Sequence, residues 1–106
     1  MENVQVKLND EGFGKFYITE GEKELAKMEV SVTENYLTAY HTEVDPDVGR
    51  RGLAKDLFNF MISYAQEHGI KVIPLCIFVK KQLDKDPDKY KDLVESINNL
   101  KNNGTR

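Results

Sequence analysis

The sequence predicts an α+β domain in which an antiparallel meander leads into a β-α-β crossover and then a C-terminal helix. Three observations predict it. Apolar residues alternate through the first 44 residues, their spacing changes to three or four after Pro46, and an apolar run of strand length follows. Two strands joined through a helix lie parallel, so the sheet is expected to be mixed. The 106 residues suffice for one core, which predicts a single domain over residues 1–106.

Four strands are expected before Pro46. Alternation marks them, with turn residues in between, at residues 4–8, 13–18, 25–33 and 36–44. Successive side chains of a strand point to opposite faces, so Met28 and Val30 are expected inside and Lys27 and Glu29 outside. The aromatic residues expected at core positions are Phe13, Phe16, Tyr17, Phe58 and Phe60.

The second half of the sequence predicts a helix, then a strand, then a second helix. Apolar spacing predicts an amphipathic helix over about 51 to 68, closed by Gly69. Residues 70–79 are almost all apolar, which predicts a parallel strand buried on both faces. Asp86 before Pro87 predicts the start of the last helix. Its apolar face would comprise Tyr90, Leu93, Val94, Ile97 and Leu100, and residues 102–106 are expected to fray.

Composition excludes several functional classes. The formal charge of −3 and pI near 5.4 leave no basic field for nucleic acid or anionic lipid. No stretch approaches the roughly 18 apolar residues that span a bilayer, and no secretory leader is evident, so a cytoplasmic location is expected. One cysteine and two distant histidines have no metal-ligand spacing, so no metal is expected. We expect a monomer or a weak dimer.

The segment between the fourth strand and the first helix is typical of an anion-binding loop. The first N–H groups of a helix have no internal partner and lie at the positive end of its dipole, so they bind phosphates. Small residues allow close approach and cations add charge. These residues are Gly49, Gly52, Ala54, Arg50, Arg51 and Lys55. The alternative is that the glycines only connect two elements.

Pro74 interrupts the predicted strand at residues 70–79. Proline cannot donate a ladder hydrogen bond, so pairing with the preceding strand should break there and the two strands should part. The backbone groups of Glu43 and Val44 would then lack partners. The alternative is a bulge or a strand end at Pro74. An anion-binding loop at the mouth of such a gap suits coenzyme A, which has a diphosphate and an amide-rich arm.

Two segments carry a family resemblance. The first segment is His41-Thr42-Glu43-Val44-Asp45-Pro46, and it continues into Gly49-Arg50-Arg51-Gly52-Leu53-Ala54. The second segment begins with Ile73-Pro74-Leu75-Cys76 and extends to Val79, and Pro87 and Tyr90 follow it in the sequence. They resemble the HTEV strand, diphosphate loop and proline–cysteine strand of very small members of the GNAT superfamily, the acyl-CoA-dependent N-acetyltransferases. The chain departs from that pattern at Gly49, where arginine or glutamine is usual, and at Arg50, where this branch often has glycine.

The resemblance implies that acetyl-CoA is the acyl donor and that its pantetheine arm lies in the gap. The diphosphate would meet the amides between Gly49 and Ala54, and Phe78 would line the pocket. Tyr90 would reach the ligand, or else pack in the core. The implied cofactor-binding residues are Val44, Gly49, Arg50, Arg51, Gly52, Leu53, Ala54, Phe78 and Tyr90.

Acetyl transfer to an amine needs a base, oxyanion donors and an acid for the leaving thiolate. His41 and Glu43 lie two apart on one strand, so they face the same side and together suit the role of base. The alternative is that both are structural ties. Cys76 suits a general acid or a nucleophile, or it is a small core residue.

The first functional hypothesis is an N-acetyltransferase acting on a small molecule or an exposed protein amine. The span from Gly12 to Leu25 has no room for the helices that standard members carry there, so the acceptor side should be open. The second hypothesis is a non-catalytic module that binds coenzyme A or acyl-CoA. The third is an interaction domain that has lost the ligand.

Overall fold

The computed structural model describes residues 3–48 and 52–94. The strands are β1 (Gln5–Leu8), β2 (Phe13–Glu20), β3 (Lys23–Val32), β4 (Tyr36–Val44) and β5 (Lys71–Pro74). A 3-10 turn (Pro46–Val48) precedes the helices α1 (Leu53–His68), α2 (Ile77–Asp84) and α3 (Pro87–Tyr90). The five strands form one sheet in chain order, antiparallel from β1 to β4 and parallel between β4 and β5. The predicted α+β mixed sheet is confirmed.

The hydrophobic core lies between α1 and one face of the sheet. Phe16 and Met28 from the strands and Phe58 and Met61 from α1 are at most 1% exposed. These side chains form one buried cluster, as the alternating pattern of the strands and the helical spacing of α1 predict. Phe13, expected in the core, is 51% exposed, so that prediction is wrong.

The predicted strand at residues 70–79 is correct only in its first half. β5 ends at Pro74, and Cys76 is the N-cap residue of α2, so Phe78 belongs to a helix. The N–H of Leu75, the next donor due to face β4, bonds instead to the carbonyl of Ile73 at 3.2 Å. The N–H of Cys76 then donates to the carbonyl of Ala39 in β4 at 2.8 Å. An apolar run fits a buried strand and a buried helix start equally well.

The last helix begins at Pro87 as predicted, but its continuation through Leu93 and Val94 is wrong. The helix ends at Tyr90. The N–H of Val72 in β5 donates to the carbonyl of Leu93 at 2.8 Å, and Val94 forms a parallel bridge with Val72. Tertiary pairing therefore overrides the local helical pattern. The remaining apolar positions, Ile97 and Leu100, and the tail at 102–106 lie outside the described residues.

β4 contains one residue more than its partner strand requires. The register passes from Glu29 opposite His41 to Val30 opposite Ala39, which leaves Tyr40 as the extra residue of a β-bulge. A bulge interrupts the alternation of side chains, so two consecutive residues share one face. The sequence analysis did not predict this bulge, and it determines the orientation of every later residue of β4.

We expect Phe58→Ala to lower the free energy of unfolding by about 3–5 kcal/mol, since it leaves a cavity in the core. The Phe58 ring is 1% exposed and meets the ring of Tyr90 edge-on, with centroids 5.7 Å apart. The control is Phe13→Ala, which removes the same side chain from an exposed position and should cost less than about 1 kcal/mol. Urea denaturation measures both, and equal losses would contradict this assignment of the core.

Candidate functional site

The two parallel strands part after Ala39. β4 and β5 pair from Tyr36 opposite Lys71 to Ala39 opposite Pro74. β4 then continues as far as Val44, whereas the chain beyond Pro74 turns into α2. Within the described ranges, no strand pairs with this edge of β4 beyond Ala39. The two strands separate beyond Ala39 because β5 ends at Pro74, which is the alternative of a strand end.

The bulge decides which backbone groups face this gap. The N–H of Asp45 donates to a β3 carbonyl at 2.8 Å. Bonding alternates along an antiparallel ladder, so Glu43 and His41 also bond towards β3. Thr42 and Val44 therefore turn their N–H and C=O groups towards the gap. The expectation is correct for Val44 and wrong for Glu43, because consecutive residues of a strand direct their backbone groups to opposite edges.

His41 and Glu43 form a contact on the face of the sheet opposite α1. The His41 Nε2 and Glu43 Oε1 atoms are 3.0 Å apart, and the two side chains are 55% and 58% exposed. Glu29 is the cross-strand partner of His41, and Lys27 is that of Glu43. The predicted shared orientation is confirmed, and the two groups contact each other directly. The pair can move a proton between an exposed ligand and water.

Cys76 lies on the other side of the gap, towards α1. Its Sγ is 3.3 Å from the Thr42 Oγ1, and the residue is 4% exposed. Thr42 is the cross-strand partner of Met28, whose side chain is fully buried on the α1 side. His41 and Glu43 therefore contact each other on one face of β4, and Cys76 and Thr42 contact each other on the opposite face. Thr42 was not among the residues predicted for the site. Its position between His41 and Glu43 in the sequence could have indicated it, because alternation along a strand directs its side chain to the opposite face.

Asp45 anchors the segment that leaves β4. Its Oδ1 accepts a hydrogen bond from the N–H of Asp47 at 2.9 Å, and its carbonyl accepts one from Val48 at 3.1 Å. Its Oδ2 lies 3.1 Å from the Lys23 Nζ. The hydrogen bond from Asp47, followed by that from Lys23, holds the pKa of Asp45 below its usual range. These contacts fix the turn at Pro46–Val48 against the end of β4. The predicted contributions of Gly49, Arg50 and Arg51 lie outside the described residues.

The N-terminus of α1 lies at Gly52, around which the described residues leave room for a side chain. Gly52 is the N-cap with a φ of 70°, and no side chain caps the helix. The first helical bond runs from the N–H of Asp56 to the carbonyl of Gly52, so the amides of Leu53 and Ala54 precede it. A Cβ placed on Gly52 would meet no atom within 4 Å. Amides beside open space suit the binding of an anion.

The two predicted aromatic contacts to the cofactor lie in α2 and α3. Phe78 is partly buried against the core in the first turn of α2. Tyr90 packs edge-on against Phe58, and the Lys89 Nζ lies 5.3 Å from the centre of its ring. This packing supports the structural alternative for Tyr90. A role of either ring in ligand binding stays a prediction.

Two other classes of site are absent from residues 3–48 and 52–94. No helix there is long and apolar enough to cross a membrane. The same residues contain no group of three histidine, cysteine, aspartate or glutamate side chains that could hold a metal ion.

Comparisons with known proteins agree with this geometry. A family model described as GCN5-related N-acetyl-transferase matches residues 15–93. The solution structure of a GCN5-like protein from Staphylococcus aureus is similar at 30% identity and a TM-score of 0.63, over 92% of this chain and 93% of that one. The crystal structure of the ribosomal-protein-S18-alanine N-acetyltransferase from Escherichia coli is similar at 26% identity and a TM-score of 0.54. That match covers 60% of this chain and only 42% of the enzyme. A search of curated proteins found no match.

We expect Asp45→Asn to lower the melting temperature at pH 7, because it removes the charge that bonds to the Asp47 N–H and to Lys23. The folded-state pKa of Asp45 is lowered, so its stabilising effect is present above the unfolded pKa of about 3.9 and is lost as the pH falls through the folded value. The difference in melting temperature from the wild type should therefore shrink between pH 5 and pH 2. Asp10→Asn, at an exposed turn, is the control. A difference that persists at the lowest pH would contradict this role of the charge.

Proposed function

The chain belongs to the GCN5-related N-acetyltransferase family, and on that premise we propose that it binds acetyl-CoA between β4 and α2 and transfers the acetyl group to an amine. The observation that carries the proposal is the parting of β4 and β5 after Ala39, which leaves the backbone of Thr42 and Val44 facing a gap. We expect the protein to act in the cytoplasm, as a monomer or a weak dimer, without metal, nucleic acid or membrane.

The donor fits this gap by its chemistry. The pantetheine arm contains two amides, and the C=O of Thr42 together with the N–H and C=O of Val44 supplies complementary partners along one strand edge. The diphosphate would lie against the first amides of α1, at Leu53 and Ala54, where the helix dipole favours negative charge. The sequence adds Arg50 and Arg51 to this position.

The orientation of β4 assigns separate roles to its two faces. The amine approaches from the face that bears His41 and Glu43 and attacks the thioester carbonyl, and this pair accepts the proton that the amine loses. The N–H of Thr42 faces the gap and is the donor for the oxyanion of the tetrahedral intermediate. A C–N bond forms, the C–S bond breaks, and coenzyme A leaves as a thiolate.

Cys76 acts as the acid that protonates this thiolate. Its thiol lies on the α1 side of β4 beside Thr42, away from His41 and Glu43. An acetyl group bound to Cys76 would be on the wrong face for an amine held by that pair. The arrangement therefore favours direct transfer over an acetyl-cysteine intermediate, and solvent restores the proton to Cys76 after release.

The separation of these groups also supports a second candidate function, a non-catalytic module that binds acetyl-CoA. In that case the gap and the start of α1 still hold the donor, and the thiol of Cys76 only fills the core beside Thr42. Saturable binding without turnover at any amine concentration would favour this candidate.

We expect Gly52→Asn to weaken acetyl-CoA binding about tenfold, because the added side chain fills the space in front of the α1 amides. Asparagine tolerates a positive φ better than other residues with a Cβ, which keeps the change in stability small. The matched control is Gly69→Asn at the other end of α1. Gly69 has a φ of 62° and equally open surroundings, and its replacement should leave binding unchanged. Calorimetry with acetyl-CoA measures both variants, and equal effects would refute this position for the diphosphate.

We expect Cys76→Ala to slow acetyl transfer at least about tenfold, since the leaving thiolate loses its proton donor, while the affinity for acetyl-CoA is kept. The rate is followed by thiol release, and binding by calorimetry. Intact-mass spectrometry of the wild-type protein at short times with acetyl-CoA is expected to show no added acetyl group. An acetyl group on Cys76 that passes to the amine would instead identify a nucleophile.

A further inference from the structure

The two edges of the sheet differ in how they are covered. β1 and β5 lie at opposite edges. At β5, the N–H of Val72 donates to the carbonyl of Leu93, and Val94 forms a bridge with Val72. In the described part of the chain, no strand pairs with the outer edge of β1. β1 is short and carries Lys7, but it contains neither proline nor a bulge, which are two other features that protect an exposed edge.

β1 is held firmly against β2 although it has only four residues. Gly14 lies opposite Leu8, and a Cβ at Gly14 would overlap the carbonyl oxygen of Lys7, so only glycine allows the two strands to approach this closely. The Gln5 Nε2 donates a hydrogen bond to the Thr19 Oγ1 at 3.0 Å. A strand that is already ordered loses little conformational entropy when another strand binds beside it.

The hydrogen bonds at the turn after β1 show which backbone groups of this strand face outwards. The N–H of Asn9 donates to the carbonyl of Phe13 at 2.8 Å, and these two residues continue the register between β1 and β2. Bonded pairs alternate along an antiparallel ladder, so Lys7 bonds to β2. Val6 and Leu8 therefore direct their N–H and C=O groups towards the open edge.

The side chains of β1 leave binding groups free on both faces of the sheet. Val6 is paired with the buried Phe16 and so lies on the α1 side, yet it is 42% exposed. On the other face, Lys7 forms no ion pair with any described residue. Gln5 uses its amide nitrogen to bond Thr19, which leaves its Oε1 as an acceptor. The edge thus offers an uncovered apolar side chain, a cation and a hydrogen-bond acceptor.

A two-fold axis through Val6 makes this strand complementary to itself. In an antiparallel pair about that axis, each Val6 lies opposite the other, and the two exchange their outward N–H and C=O groups. Each Gln5 lies opposite a Lys7, whose ammonium donates to the Gln5 Oε1. Val4 lies opposite Leu8, so apolar side chains meet on the α1 side. An axis through Lys7 would instead place two lysines opposite each other, which is unfavourable.

We propose that two copies of this chain associate through β1, antiparallel about an axis at Val6, into one continuous sheet with five strands from each copy. Residues 4–8 of each copy bury far less than the roughly 800 Å² per partner of a stable interface, so the dimer is weak and forms at high protein concentration. The gap beside β4 lies three strand spacings from β1, about 14 Å away. The association therefore leaves the proposed acetyl-CoA site open and does not depend on that function.

The first test follows amide hydrogen exchange of the ¹⁵N-labelled protein by NMR, at about 20 μM and about 1 mM. The amides of Val6 and Leu8 are expected to exchange rapidly in the dilute sample and to become protected in the concentrated one. The amide of Lys7 bonds to β2 in both states, so its protection should stay constant and serves as the internal control. Rapid exchange of Val6 at both concentrations would overturn the proposal.

The second test compares two proline variants by analytical ultracentrifugation. Val6→Pro removes an N–H that faces outwards, so it should keep the monomer folded and raise the Kd of the dimer at least about tenfold. Lys7→Pro is the matched control, because it removes an N–H that bonds to β2. It should lower the melting temperature of the dilute protein, whereas Val6→Pro should leave that temperature nearly unchanged. A Val6→Pro variant that dimerises like the wild type would refute the interface.

The third test examines the register with charge variants on the outer face of β1. Gln5→Glu places a carboxylate opposite Lys7 of the second copy and should tighten the dimer about threefold, whereas Gln5→Lys places like charges opposite each other and should weaken it by a similar factor. Gln66→Glu and Gln66→Lys make the same changes at an exposed position of α1 and should not alter the Kd. Shifts of the same sign for both Gln5 variants would contradict an axis at Val6.

Discussion

The end of β5 at Pro74 is the constraint on which the candidate site depends. Parallel strands continue together only while each supplies donors to the other, and the N–H of Leu75, the next donor due to face β4, bonds instead to the carbonyl of Ile73. The chain turns into α2, and the N–H of Cys76 donates to the carbonyl of Ala39 in β4. One turn thus ends a strand, leads into a helix and leaves the last part of β4 without a strand beside this edge in the described ranges. The path of the backbone forms the gap. Side-chain substitutions around the gap should therefore change its lining without closing it.

Most of the fold follows from local patterns. The fourth strand lies where the alternation places it, over Tyr36–Val44, and α1 begins at Leu53, close to the predicted start near residue 51. Both elements have clear periodicity and distinct ends. Errors occurred where tertiary contacts decide. Residues 70–79 are apolar throughout and so do not distinguish strand from helix, and Leu93 leaves the helical pattern to pair with Val72.

The candidate site was predictable in its composition but not in its arrangement. The HTEV segment indicates His41 and Glu43 as a pair, and they do contact each other. The bulge at Tyr40 was not predicted, although an uninterrupted alternation from Leu37 and Ala39 would turn the polar His41 and Glu43 towards the core. Thr42 was missed although its place between His41 and Glu43 directs it to the opposite face, and Cys76 was assigned to a strand rather than to a helix start. Residues 49–51 lie outside the described residues, so the roles of Arg50 and Arg51 stay predictions.

Because β4 contains an extra residue, a change in the length of this strand would disturb the sheet more than a substitution within it. Removal of Tyr40 would restore an uninterrupted alternation of side chains along β4. Every residue from His41 to Val44 would then point to the opposite face of the sheet. An imidazole and a carboxylate would then point into the apolar layer beneath α1, and Thr42 would move to water. We expect a homologous chain that lacks this residue to keep its sheet on one condition. The polar and apolar residues after the deletion must have changed places along β4. Insertions and deletions here should therefore be far rarer than substitutions.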